Sequence, residues 1–452
     1  MECTPSGRIA AAAAIALVAI FILFFSFPAL AKGNLLTLED AVNIALRENR
    51  KVQNAALEVS KSDNMLAAVR THRWPIFEVL VLEDWLLTPL ENTNLFGGFS
   101  GILPISIPIS SPTVIQNRQP SAYLVGFMIQ PLSQQYRIGL NISMHAVMRD
   151  IAQEKLRGQR QSTVNDVKRL YYGILQTQSS LESVEETIRF LRELDRLQAR
   201  YLKEQVVLKS ESLEVKAKLA QAEQDQVTLR NQLATQKEQL NDLLGRNILT
   251  QFRVNPVPEA TALENDLEAA RTRALKQRPE VREARLRTRQ AEYDRWIKQA
   301  EYIPSINFSL SYARTVNLEP LPQNIGFAGF MLTWEPFDWG RKRRELAAKT
   351  ETLAQTKNTG RETESEVLID VNSKFRNLQA SRSQLKASRA AQEAAREKVK
   401  EMVDKYKNQT ALLKDVLQAE TGRAETDSRY QKALSGFWTA KAELEKATGE
   451  EK

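Results

Sequence analysis

The chain has 452 residues, with 63 Lys+Arg against 55 Asp+Glu, a formal net charge of +8 and a single cysteine. The excess positive charge is spread among Glu, Lys and Arg along helical faces instead of forming one tract, which argues against nucleic acid as a partner. One cysteine excludes a disulfide framework and a thiolate metal site.

Met1–Arg8 is weakly basic, with Glu2 and Arg8 cancelling, so the net charge belongs to the rest of the chain. An apolar run from Ile9 to Phe27 leads to Pro28-Ala29-Leu30-Ala31 and then Lys32. That order predicts a secretory signal over residues 1–31, with Ala29 and Ala31 at the two positions a signal peptidase reads and a mature chain starting at Lys32. An uncleaved anchor is the alternative, because the run approaches the length that spans a bilayer. Cys3 precedes the run, so it is not a lipoprotein cysteine and would leave with the signal. The chain has no second long apolar segment, which excludes a helical membrane protein; the mature chain could enter a membrane only as strands of a closed barrel.

Leu132 to Asn255 and Phe337 to Lys452 contain no proline, whereas all prolines except Pro5 and Pro28 fall between Pro75 and Pro131 or between Pro256 and Pro336. Two long helical blocks therefore alternate with two short proline-bearing segments. Val164, Val167, Tyr171, Ile174, Leu181, Val184, Ile188, Leu191, Leu194 and Tyr201 follow steps of three and four, the seam of a coiled coil. A break at Gln205 to Ser212 precedes a second run that ends at Gly245, a helix stop. A helix from Ser133 to Glu204, or from Asp338 to Asn408, would be roughly 100 Å long at ~1.5 Å per residue. Both turn back, at Gln205–Ser212 and Gln409–Leu412, which places two hairpin tips together and far from the proline-bearing segments.

The chain is built twice. Leu38-Glu39-x-Ala41-x3-Ala45-Leu46 returns as Leu267-Glu268-x-Ala270-x3-Ala274-Leu275, and Trp74-Pro75 returns as Ile303-Pro304. Each copy opens on a helix-capping pattern, Thr37 with Asp40 and Asn265 with Glu268. Gly126-Phe127-Met128, Tyr201 and Gly245 reappear as Gly329-Phe330-Met331, Tyr406 and Gly449. The repeats are residues 32–250 and 251–452.

After Pro75 and Pro304 the period changes to two. Ile306, Phe308, Leu310 and Tyr312 alternate with polar residues, and Phe77, Val79 and Val81 hold the equivalent places in the first copy. Strands are expected at about 75–85, 122–132, 304–316 and 324–335. Each is about as long as the ~9–11 residues of a transmembrane strand, with those seven side chains toward lipid. Four strands cannot close a barrel, for which about eight are the minimum, so several chains must share one. Soluble hairpins packed on the helices are the competing expectation.

These features resemble the TolC family of outer-membrane efflux proteins over essentially the whole mature chain. The doubled Leu-Glu-x-Ala-x3-Ala-Leu opening, the helix ending in Pro75 or Pro304 before an alternating strand, Arg200-Tyr201 and Lys405-Tyr406 before the tips, and Asp415-Val416-Leu417-x-Ala419-Glu420 carry the resemblance. It implies a mainly α fold with a small β part: long coiled-coil hairpins forming an α-barrel tunnel, with four strands per protomer in a twelve-stranded transmembrane β-barrel shared by a homotrimer. The implied partners are a periplasmic adaptor, an inner-membrane transporter of RND, ABC or MFS type, and outer-membrane lipid; the implied location is the outer membrane, reaching into the periplasm. The duct would serve tripartite efflux or type I secretion.

The resemblance also implies a periplasmic gate at Tyr406 and Asp415 in the second copy and Tyr201 and Glu211 in the first, where one extra residue intervenes. The chain departs from the family with Gln205 and Gln409 in place of tip glycines and Ala411 where a gating arginine stands, leaving Lys209 or Lys414 as substitutes. A periplasmic adaptor and a structural coiled coil without a pore are the alternatives.

His72 and His145 lie apart from any cysteine or paired carboxylate at ligand spacing, and no phosphate-cradling glycine loop or Gly-x-Ser-x-Gly occurs. No cofactor and no enzymatic activity are expected. The carboxylates read as solvated pairs on helix surfaces.

Overall fold

The computed structural model describes residues 35–84, 121–204, 207–256, 266–316, 322–408 and 410–450; the expected signal, with Ala29 and Ala31, lies outside them, as do Gln205, Gln409 and Asn265. In chain order the elements are β1 (Leu35–Leu36), α1 (Leu38–Glu48), α2 (Arg50–Thr71), β2 (Ile76–Asp84), β3 (Ser121–Pro131), α3 (Gln135–Lys203) and α4 (Lys209–Leu243). The second copy continues with β4 (Arg253–Val254), α5 (Leu267–Gln277), α6 (Pro279–Ala300), β5 (Ser305–Val316), β6 (Asn324–Thr333), α7 (Arg341–Lys407) and α8 (Leu413–Thr448).

The chain forms two compact units. One gathers Met1–Gln53, Arg160–Ala270 and Val371–Lys452; the other gathers Asn54–Gln159 and Arg271–Asp370.

The first unit has an apolar core in which Val167, Tyr171 and Ile174 of α3 meet Leu240 of α4, Ala41 and Ala45 of α1, and Phe437 and Trp438 of α8. The seam expected on α3 is its buried face, since Val164, Ile188, Leu191 and Leu194 are buried as well. Tyr171 places a hydroxyl in this core that must be satisfied. It lies 2.9 Å from Leu36 O and 2.8 Å from Asn255 O and accepts from Asn255 N at 2.9 Å. It thereby fastens the parallel ribbon in which Leu35 and Leu36 pair with Arg253 and Val254. The small Ala41 and Ala45 let α1 approach closely, and its Thr37 cap is as expected, accepting from Asp40 N at 3.1 Å. Asn49 ends α1 and begins α2, its side chain donating to Leu243 O at 2.7 Å. Beside it Gly245 is held at φ +70, and a Cβ there would lie 2.2 Å from Glu48 O, so glycine is required twice over.

In the second unit β2, β3, β5 and β6 form one antiparallel sheet in that spatial order. Ser133 closes the corner between β3 and α3: its hydroxyl donates to Pro304 O at 2.6 Å and accepts from Ile306 N at 2.7 Å. The helices around the sheet are joined by ion pairs, including Arg278 with Asp370 and Lys298 with Glu301 and Glu345.

Asp266 caps α5, its carboxylate accepting from Glu268 N and Ala269 N at 2.9 and 3.2 Å, while the expected cap at Asn265 lies outside the described residues. One boundary differs from the sequence expectation. Helix α7 begins at Arg341 instead of Asp338, because Trp339 (φ 56) and Gly340 (φ 82) turn left-handed and Asp338 caps Gly340 N and Lys342 N.

Candidate gate and membrane-facing sheet

Residues opposite one another in an antiparallel ladder share a face. Phe77 pairs with Met128, Met128 with Leu310 and Leu310 with Ala328; Val79 leads in the same way through Gly126 and Tyr312 to Gly326. Phe77, Val79, Val81, Ile306, Phe308, Leu310 and Tyr312 therefore lie on one face, together with Leu124, Phe330 and Leu332. That face is uncharged between Arg314 near one end and the strand starts at the other. Phe77 and Val79 are each 71% exposed and Phe330 74%. The ring pair Phe308–Phe330, 5.5 Å apart, covers part of it.

The opposite face is mixed. Serines and an asparagine alternate along β5, but their neighbours include Phe127 and Ile129 on β3 and Phe327 and Met331 on β6. Beyond β5, the polar residues of that face include Glu78 and Asp84 of β2, Ser121 and Tyr123 of β3 and Thr333 of β6.

Both outer strands, β2 and β6, have one unpaired edge among the described residues. The four strand–helix junctions lie at one end of this sheet, since Ile76 is level with Ile129, Pro131 with Asn307, and Ser305 with Thr333. Trp74, Tyr136, Tyr302, Trp334, Phe337 and Trp339 occupy those junctions, all exposed.

At the hairpin turns of the first unit, Tyr406 accepts a hydrogen bond from Gln198 Nε2 at 2.7 Å. Burial pushes its phenol above the usual range, opposed by that hydrogen bond, and the nearby Tyr201 and Glu211 push it further the same way. The structure thus draws Tyr201 and Glu211 toward Tyr406, whose hydroxyl is held by Gln198, a fully buried residue that the sequence did not single out and whose amide oxygen has no partner. Asp415 is engaged elsewhere: its carboxylate accepts from Leu412 N at 3.1 Å, closing the first turn of α8. Glu211 sits at the matching place in α4, three residues after the extended Leu208. Lys209 and Lys414 are exposed and pair with no acid among the described residues.

Above the tips lies a charged cluster that the sequence pattern had suggested would sit on helix surfaces. Glu420, Arg423 and Asp427 of α8 are buried, with side chains 5%, 11% and 3% exposed. Arg423 grips Glu420 through Nε at 2.9 Å and Nη2 at 2.7 Å and reaches Asp427 at 2.8 Å. Thr187 of α3 bonds Glu420, Ser183 of α3 bonds Asp427, and Gln392 of α7 bonds Asp427 at 2.8 Å. The hydrogen bond to Glu420 raises the guanidinium pKa above its ordinary value. Spacing of three and four residues on a helix is shared by solvated pairs and buried clusters, so sequence alone does not separate them.

No described helix is long and apolar enough to cross a membrane. Comparison with curated proteins found no match. Three solved structures share the fold. VceC of Vibrio cholerae, an outer membrane protein, aligns over 91% of this chain and 96% of its own at TM-score 0.75 and 14% identity. The CmeC outer membrane channel of Campylobacter jejuni gives 91% and 85% at 0.77 and 12%. CusC, whose structures concern transmembrane channel formation, gives 94% and 95% at 0.77 and 15%. Residues 270–450 match the family model described as outer membrane efflux protein.

Proposed function

We propose that the chain is one protomer of an outer-membrane exit duct, a passive, non-enzymatic tunnel serving tripartite efflux or type I secretion. The observation that carries this reading is a four-stranded sheet with two open edges and an exposed apolar face in an otherwise helical chain. An open apolar edge in water invites uncontrolled pairing. A barrel removes it. In the order β2-β3-β5-β6 the outer strands run in opposite directions, so β6 of one copy meets β2 of the next in antiparallel sense. Such head-to-tail contacts close into a ring, and three copies give twelve strands. The face bearing Phe77, Phe308 and Leu310 meets lipid, and the exposed aromatics at the strand–helix junctions mark its interface with water.

The tips form the periplasmic gate, with Tyr201 and Glu211 close to a Tyr406 held by Gln198, Asp415 fixing the start of α8, and Lys209 and Lys414 available to acids of neighbouring protomers. A periplasmic adaptor and an inner-membrane transporter supply the opening and the energy.

Native mass spectrometry of the protein extracted in detergent from the outer-membrane fraction tests the assembly. A trimer beginning at Lys32 is expected; a water-soluble monomer overturns the duct. For the gate, Tyr406→Phe with Asp415→Ala should raise the ion conductance of reconstituted trimers, and unchanged conductance removes these residues from it.

A further inference from the structure

We propose that the corner between β6 and α7 is a binding surface for the headgroups of anionic phospholipids, one per protomer. This rests on the membrane reading of the sheet.

The corner joins three exposed aromatic side chains, Trp334, Phe337 and Trp339, to unneutralised positive charge. Trp339 is 90% exposed in a left-handed conformation that few side chains adopt, with Gly340 beside it in the same region. Its ring meets Phe337 edge to face at 4.8 Å. The backbone is thus arranged to project a large amphipathic ring outward, a placement that water alone gives no reason to keep.

The charges divide into two groups. Arg341 and Lys342 are occupied by Glu335, and Arg341 also by Glu345, whose carboxylate is shared with Lys298. Arg343 and Arg344 are exposed and have no acid partner among the described residues. Asp338 already holds the first amides of α7, so an incoming phosphate would be read by guanidinium side chains, which suit it by shape as well as charge. The equivalent corner of the first copy, between β3 and α3, has Arg137, bonded to Gln134, with Arg73 beside Gly139 of α3, but among the described residues no adjacent pair of unneutralised guanidiniums at the start of the helix. Recognition therefore belongs to the second copy.

Zwitterionic lipid offers the same apolar interface without net charge, and free phosphate offers the charge without the interface. An anionic phospholipid supplies both.

The test compares trimers reconstituted in vesicles of phosphatidylcholine alone or mixed with phosphatidylglycerol, reading retained lipid by native mass spectrometry and conductance in parallel. The wild type should retain phosphatidylglycerol preferentially, and Arg343→Gln with Arg344→Gln should lower that preference roughly 30-fold while conductance persists. Trp339→Ala should shorten lipid retention in both vesicle types without changing the preference. A wild type that inserts and conducts but shows no preference, a double variant that keeps it, or displacement of the lipid by inorganic phosphate overturns the proposal and leaves the duct standing. Failure to insert into either vesicle overturns the duct reading and this inference with it.

Discussion

The core of the first unit and the sheet of the second handle apolar surface in opposite ways. Around Tyr171 the chain buries its own side chains and satisfies the enclosed hydroxyl with the backbone of β1 and the residue after β4. On the sheet, Phe77, Val79 and Phe330 remain about three-quarters exposed and two strand edges stay unpaired. The first region is finished by intramolecular packing. In the proposed duct the second is finished by lipid and by other copies, so the same type of substitution should act on folding in one place and on assembly in the other.

That division can be broken most sharply at Arg423. Arg423→Ala leaves Glu420 buried without its cation and Asp427 with Arg396 alone at 3.3 Å, which should cost about 3–5 kcal/mol, seen as a lower urea midpoint for the helical part. A loss below about 1 kcal/mol, the scale of an exposed pair, would show that this cluster is open to water in the assembled protein. Phe308→Arg addresses the sheet. A charge on a lipid face costs about 2–4 kcal/mol at mid-membrane, so outer-membrane trimers should disappear while the helical circular dichroism of the protomer stays. Normal assembly would mean that the faces are reversed. Tyr171→Phe removes a hydroxyl from carbonyl and amide groups that remain enclosed, for about 1–3 kcal/mol, lowering thermal stability without affecting conductance. The smallest effect belongs to Asp415→Ala alone, which withdraws an acid from a helix start for about 0.3–1 kcal/mol; a larger change in trimer stability would point to contacts between protomers.

Periodicity made much of this fold legible. Steps of three and four identified the buried seam of α3, and alternation located four strands and put seven side chains on one face. These signals survive because each element repeats one environment along its length. The caps and corners were harder. The left-handed pair Trp339-Gly340 delays α7 by three residues although Asp338 is an equally plausible first residue. Within the proposed gate, tyrosines and acids were visible by resemblance. Gln198 was not, because a polar residue on a seam reads as ordinary until its burial is known. Glu420 and Asp427 were misplaced for the same reason.

In the proposed duct, the two open edges of the described sheet would also set the kinetics of maturation. The barrel would then form in a step that depends on the concentration of protomers, unlike the folding of the helical core around Tyr171. Between secretion and encounter each chain would carry an unpaired, apolar β-edge, the form most prone to irregular pairing. Expression level and holding chaperones, as much as intrinsic stability, would then govern how many functional ducts a cell obtains.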